Sequence, residues 1–214
     1  MSNEKIDLNK IFRDSRDTLL NPKAYFSSLP LTGGLAEPVI KVAIYGVVAG
    51  LFAFLWSVIG FSAAGGVAGI WGGAVGIMAL IWAIVASIVG LFIGAVIMLV
   101  ISAICGGNTD FEANLRVTAS LAVIYPVQSF LSFFYGINMT LGSLVGVIVS
   151  LYAIYLLYLA VKHALKGKES AARIIALVLI VLVVIGFFTG RRASKVVRDY
   201  SDELEKYRQE QVDE

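Results

Sequence analysis

Between Val42 and Thr109 the chain runs for 68 consecutive residues without an Asp, Glu, Lys or Arg. As one helix that run would reach roughly 100 Å, about three bilayer thicknesses, so it folds back within lipid at least once. A second uncharged run, Val117 to Val161, has room for two more crossings, and Ala171 to Gly190 has the length of one. These lengths predict an all-α, polytopic helical membrane protein with five transmembrane helices, flanked by amphipathic N- and C-terminal helices. A six-span alternative divides the first run into three. Five is preferred, because three full spans and two turns would leave almost no spare length in 68 residues.

With 214 residues, 58% of them apolar, the chain holds one membrane bundle and two charged tails, and no separate soluble domain. The expected division is 1–37, a cytosolic amphipathic segment; 38–190, the bundle; and 191–214, a charged helical tail. The net charge of +2 conceals clusters at the ends and in the last loop, and no surface resembles a nucleic-acid interface. A lone cysteine, Cys105, excludes an internal disulfide and reads as a small residue at the end of a span. The first 38 residues lack the apolar core of a cleavable signal, so the first span is expected to serve as the insertion signal.

Leu8, Ile11, Phe12, Ser15 and Leu19 share one side of an N-terminal helix, with Lys5, Lys10, Arg13 and Arg16 elsewhere on the wheel. Two placements stay open: lying on an anionic leaflet, or packed across the end of the bundle. Asn21-Pro22 ends that helix, and Tyr25 and Phe26 are expected at the bilayer interface that aromatic rings prefer. Gly65, Gly69 and Gly73 recur at every fourth residue, as do Gly90/Gly94 and Gly142/Gly146, a spacing that lets helices approach closely. Packing inside one chain is favoured over self-association.

Asn108, Thr109 and Asp110 are candidate N-caps for the third span, with Glu112 in its first turn. At mid-membrane that span carries Tyr125-Pro126, which predicts a kink, and Gln128, Ser129 and Ser132 could satisfy the carbonyl it frees. The short Gly136–Thr140 connection makes spans three and four antiparallel neighbours. Tyr152, Tyr155 and Tyr158 then lie on one side of span four. In the tail, Val197, Tyr200, Leu204 and Tyr207 repeat at alternating three and four residues, the a/d spacing of a short partner seam. With the N-terminus inside, five spans place 11 Lys and Arg inside against six outside, while six spans give 12 against five; charge counting does not separate them.

No catalytic constellation is present. His163 has no second His, no nearby Cys and no acidic pair, and Cys105 lacks a base, so neither an enzyme, a cofactor nor a metal site is expected. The residues Asn21-Pro22-Lys23-Ala24-Tyr25-Phe26, the loop Gly106 to Arg116, the Tyr125-Pro126 pair, and the Asn138 turn before a span ending Leu159-Ala160-Val161 resemble the Yip family. Those multi-span proteins were first known as partners of Rab-type small GTPases and include prokaryotic members. The resemblance implies a five-helix bundle with a cytosolic N-terminus, in the plasma membrane of a prokaryotic cell, and no catalytic residues. The Asp-Leu-Tyr-Gly-Pro sequence of eukaryotic members is absent, so it does not extend to GTPase binding.

Two functions follow. One is a membrane scaffold or adaptor, acting through a protein partner or self-association as well as membrane lipids. The other is a small permease, channel or lipid-handling protein whose path passes Tyr125, Pro126, Gln128, Ser129 and Ser132. Against the second, no charged residue lies deep in a span.

Overall fold

The computed structural model describes residues 8–59 and 72–210, with side chains described for 8–56, 58–59 and 81–189. Two short helices, α1 (Leu8–Leu20) and α2 (Pro22–Ser28), precede α3 (Ala36–Ile59), and α4 (Gly72–Ile104) follows. The third crossing is assembled from α5 (Phe111–Leu121), α6 (Ile124–Leu131) and α7 (Phe134–Ile137). Then come α8 (Met139–Leu159), a π-helical turn (Ala160–Ala164) and α9 (Glu169–Glu210).

Five segments among the described residues are long and apolar enough to cross a membrane: Ala36–Trp56, Ile81–Ile104, Phe111–Ile137, Met139–Ala164 and Glu169–Thr189. Among the described residues the long uncharged run therefore supplies two helices of spanning length. Helix α4, at 33 residues, is about 50 Å long and outruns the hydrocarbon core, which takes up the length that a third crossing would need.

The centre of the bundle is α5. One of its faces sends Ala113 and Val117 into a core with Phe26, Met98, Leu156 and Val161; the other sends Leu115 and Ala119 into a second core with Val42, Tyr45, Leu91 and Ala95. Being enclosed on both sides, α5 also buries Asn114, Arg116 and Ser120, each of which donates hydrogen bonds, and its charged residues are confined to its first turns. The outer faces of the spans stay apolar and exposed, as at Trp82, Ile93, Ile148 and Val181, which is the surface lipid covers.

Glycines set the closest approaches. A Cβ on Gly46 would fall 2.4 Å from Ser87 Oγ, one on Gly94 2.9 Å from Thr118 Cγ2, and one on Gly142 2.5 Å from the Tyr135 ring. Gly146 faces the Tyr135 hydroxyl, whereas Gly90 has Tyr125 Oη 3.9 Å away and no tight neighbour. Gly65 and Gly69 lie outside the described residues, and Gly73 is described only as part of the α4 backbone.

The break in span three has its own bookkeeping. Pro126 has no N–H for the Ala122 carbonyl, and the chain answers by tightening: Tyr125 N donates to Ala122 O at 2.9 Å, one residue short of the helical partner. The expected rescue by Gln128, Ser129 and Ser132 does not occur. Ser129 instead donates to Ala49 O of α3, tying the first and third spans, and Ser132 donates to Ser129 O. A second break at Ser132–Phe133 turns the chain toward Asn138, whose side chain caps α8 by accepting from Thr140 and Leu141.

Two details go beyond the sequence reading. Tyr25 and Phe26 are buried in the protein: α2 tucks both beneath α1, leaving them 9% and 1% exposed, because their rings fill the gap where spans three and four begin and end. The apolar part of span five ends at Thr189, and the backbone continues without a break as one helix of 42 residues to Glu210, since an isolated Gly weakens a helix without breaking it.

Candidate functional site

The loops at the N-terminal end of the bundle hold one another. Asn108 N donates to Leu165 O at 2.7 Å and Lys168 N to Cys105 O at 2.8 Å, so the turn between spans two and three is clasped to the turn between spans four and five. Of the candidate caps, Asp110 is the N-cap, accepting from Ala113 N, while Asn108 accepts from Asp110 N. The buried Asn114 amide nitrogen donates to the carbonyls of Asn108 and Asp110, fixing how α5 enters the bundle.

Helix α1 crosses this end. Its Ser15 donates to Ile11 O, so the Tyr45 hydroxyl must be the donor in the 2.7 Å Tyr45–Ser15 bond. The Tyr152 hydroxyl donates to Leu19 O. Of the two open placements of α1, packing across the end of the bundle is the one observed: Ser15, Thr18 and Leu19 pack on it, while Leu8 and Phe12 in the first turns and Leu20 at the end are 63%, 73% and 66% exposed.

Under α1 sits a charged cluster that sequence reading did not assemble. Lys41 and Arg116 are one to two turns inside α3 and α5, with side chains only 7% and 6% exposed. Arg116 donates from Nε to Glu112 at 3.1 Å, from Nη1 to Glu37 at 3.0 Å and from Nη2 to Gly34 O at 2.8 Å. Gly34 N returns a bond to Glu112, so the Gly33-Gly34 turn is closed around the guanidinium, and a Cβ on Gly33 would lie 2.7 Å from Nη2. Glu37 is shared with Lys10 across the helix pair.

Lys41 begins a relay. Its ammonium donates to the Tyr25 hydroxyl at 2.9 Å and lies 5.4 Å from that ring's centre; Tyr25 donates on to Ser120 Oγ at 2.9 Å, and Ser120 to Arg116 O. The acidic partner of Lys41, Asp14, is at a long 3.3 Å. These groups border a cavity of about 400 Å³ between α1, α2 and the starts of α3 and α5. A signal for it was present: Glu37 and Lys41, and Glu112 and Arg116, are both four apart in the first turns of spans, and charges there mark sites.

The residues expected to line a path do not converge. Tyr125 and Gln128 are on exposed surface, and Ser129 and Ser132 are spent on backbone carbonyls. Of the tyrosines, Tyr158 donates to Glu169, and Tyr155 is 47% exposed. His163 sits half-buried in the π-helical turn beside Lys162, which pairs with Glu169. The side chains of Val197, Tyr200, Leu204 and Tyr207 lie outside the described residues, on a stretch whose backbone is helical.

Five apolar crossings, a buried polar cluster at one end and a lipid-facing surface define an integral membrane protein of the polytopic helical class. The Yip1 domain matches residues 16–190, and the chain belongs to the Yip family. No curated protein and no solved structure matches it.

Proposed function

We propose that this Yip-family protein is a non-enzymatic membrane scaffold or adaptor, with its N-terminal end cytosolic and, in a prokaryotic cell, its place in the plasma membrane. The observation that carries this is α9. Within the bundle it packs chiefly against α8 and the π-helical turn, and Ile174, Leu177, Val181, Ile185 and Phe188 are more than half exposed along it. Its 42 residues would reach about 63 Å, twice the hydrocarbon thickness, so one rigid helix joins a peripheral span to the stretch bearing Val197, Tyr200, Leu204 and Tyr207. A short two-heptad seam is marginal alone and is stabilised by docking on a partner or on a second copy. The permease alternative draws less support, because the polar groups of span three are spent on backbone contacts rather than on a common lumen.

The test is native mass spectrometry of protein extracted gently from its own membrane, beside a variant with Val197, Tyr200, Leu204 and Tyr207 all changed to Ala. A hetero-complex or homo-oligomer that the variant loses is expected. A monomer in both samples, or an assembly that the variant keeps, would sink the reading.

A further inference from the structure

The cavity under α1 has charges left over on both signs. Lys41 is buried, yet only two of its three ammonium hydrogens have partners, and the acidic one is 3.3 Å away. Glu37 is already divided between Lys10 and Arg116. On the facing wall Asp17, one turn beyond Asp14 on α1, borders the same cavity, is exposed, and makes no ion pair or side-chain hydrogen bond among the described residues. A ligand that offers an anionic oxygen to Lys41 and a cation to Asp17 would satisfy both; one with only a negative charge would meet Asp14 and Asp17.

Depth favours a particular source for that chemistry. Lys41 is five residues into α3, about 7 Å below its start, which puts the cavity near the headgroup layer when the apolar part of the span fills the hydrocarbon core. Leu8 and Phe12 in the first turns of α1 and Leu20 at its end are exposed apolar side chains, suited to the same depth. We infer that the cavity between α1, α2 and the starts of α3 and α5 binds a zwitterionic phosphoethanolamine group, its phosphate toward Lys41 and its primary ammonium toward Asp17, supplied by a membrane lipid. This site is independent of the scaffold reading, which rests on α9. A primary ammonium donates hydrogen bonds to carboxylates, whereas a trimethylated one does not, so ethanolamine is selected over choline.

The experiment uses the full chain in detergent, stripped of lipid and titrated separately with phosphatidylethanolamine, phosphatidylcholine and phosphatidylglycerol of the same acyl chains, with bound lipid read by native mass spectrometry. Tighter retention of the ethanolamine lipid is expected. Asp17→Asn, which removes no contact within the protein, should weaken it about tenfold while leaving phosphatidylglycerol unchanged or stronger. Lys41→Gln should weaken both phosphatidylethanolamine and phosphatidylcholine. Equal retention of the three lipids, or an Asp17→Asn protein that keeps its preference, overturns the site. Soluble phosphoethanolamine separates the sources: weak competition at millimolar concentration supports the lipid, and binding as tight as the lipid's overturns the lipid assignment.

Discussion

Arg116 shows what one buried charge does in this protein. Its three bonds run to two carboxylates and a turn carbonyl, drawn from α3, α5 and the Gly33-Gly34 turn, so it joins parts of the chain some 80 residues apart. Arg116→Ala would leave Glu37, Glu112 and the Gly34 carbonyl without it; the two carboxylates are partly exposed and Glu37 keeps Lys10, so the cost is about 1–3 kcal/mol. For a chain of this size that lowers the thermal unfolding midpoint in detergent by about 2–12 °C. Arg116→Lys keeps the charge but loses the planar fork that spans three acceptors, so most of the loss should remain. A midpoint for Arg116→Lys equal to the native one would show that charge alone, not geometry, holds the turn.

Between elements, close approach is the controlling quantity. Gly142 brings α8 against Tyr135, where an added Cβ would lie 2.7 Å from backbone as well as 2.5 Å from the ring, so the neighbour cannot simply rotate away. Gly142→Ala is expected to destabilise by about 1–3 kcal/mol, the usual cost of overpacking. Gly186 lies in α9 with nothing within 4 Å of its Cβ position. Gly186→Ala should be neutral or stabilising by up to about 1 kcal/mol through helix propensity. Parallel thermal melts of the two variants check the contrast, and equal effects would mean that glycine matters here for flexibility rather than space.

At the scale of the whole molecule, five crossings are expected to put the α1 end and the end of α9 on opposite sides of the membrane. Cys105 allows a clean test. It is 0% exposed, and burial pushes its thiol pKa up, so the reactive thiolate forms only at higher pH and the native residue should label slowly at neutral pH. With Cys105 retained, Ser27→Cys on the exposed face of α2 and Ser194→Cys past span five should react with a membrane-impermeant maleimide from opposite sides of sealed vesicles. Labelling of both from one side would require an even number of crossings.

Span number, span order and the α-helical class were legible in the sequence because hydropathy is a local property: each crossing needs its own run of about 20 apolar residues, and no tertiary contact can substitute for it. The Asp110 cap was legible for the same reason, since a cap acts within three residues; Asn138, read only as part of a turn, caps α8 by the same local rule. The charged cluster was not assembled, because Lys10, Glu37, Lys41 and Arg116 come from three separate helices, and nothing local says that α1 folds back over the starts of α3 and α5. Nor could local reading show that Tyr25 and Phe26 are buried, because the gap that they fill exists only once α1 and α2 fold over the bundle. Apolar length therefore sets how many helices cross, while the partners available to a few buried polar groups decide which helices meet and where a site forms.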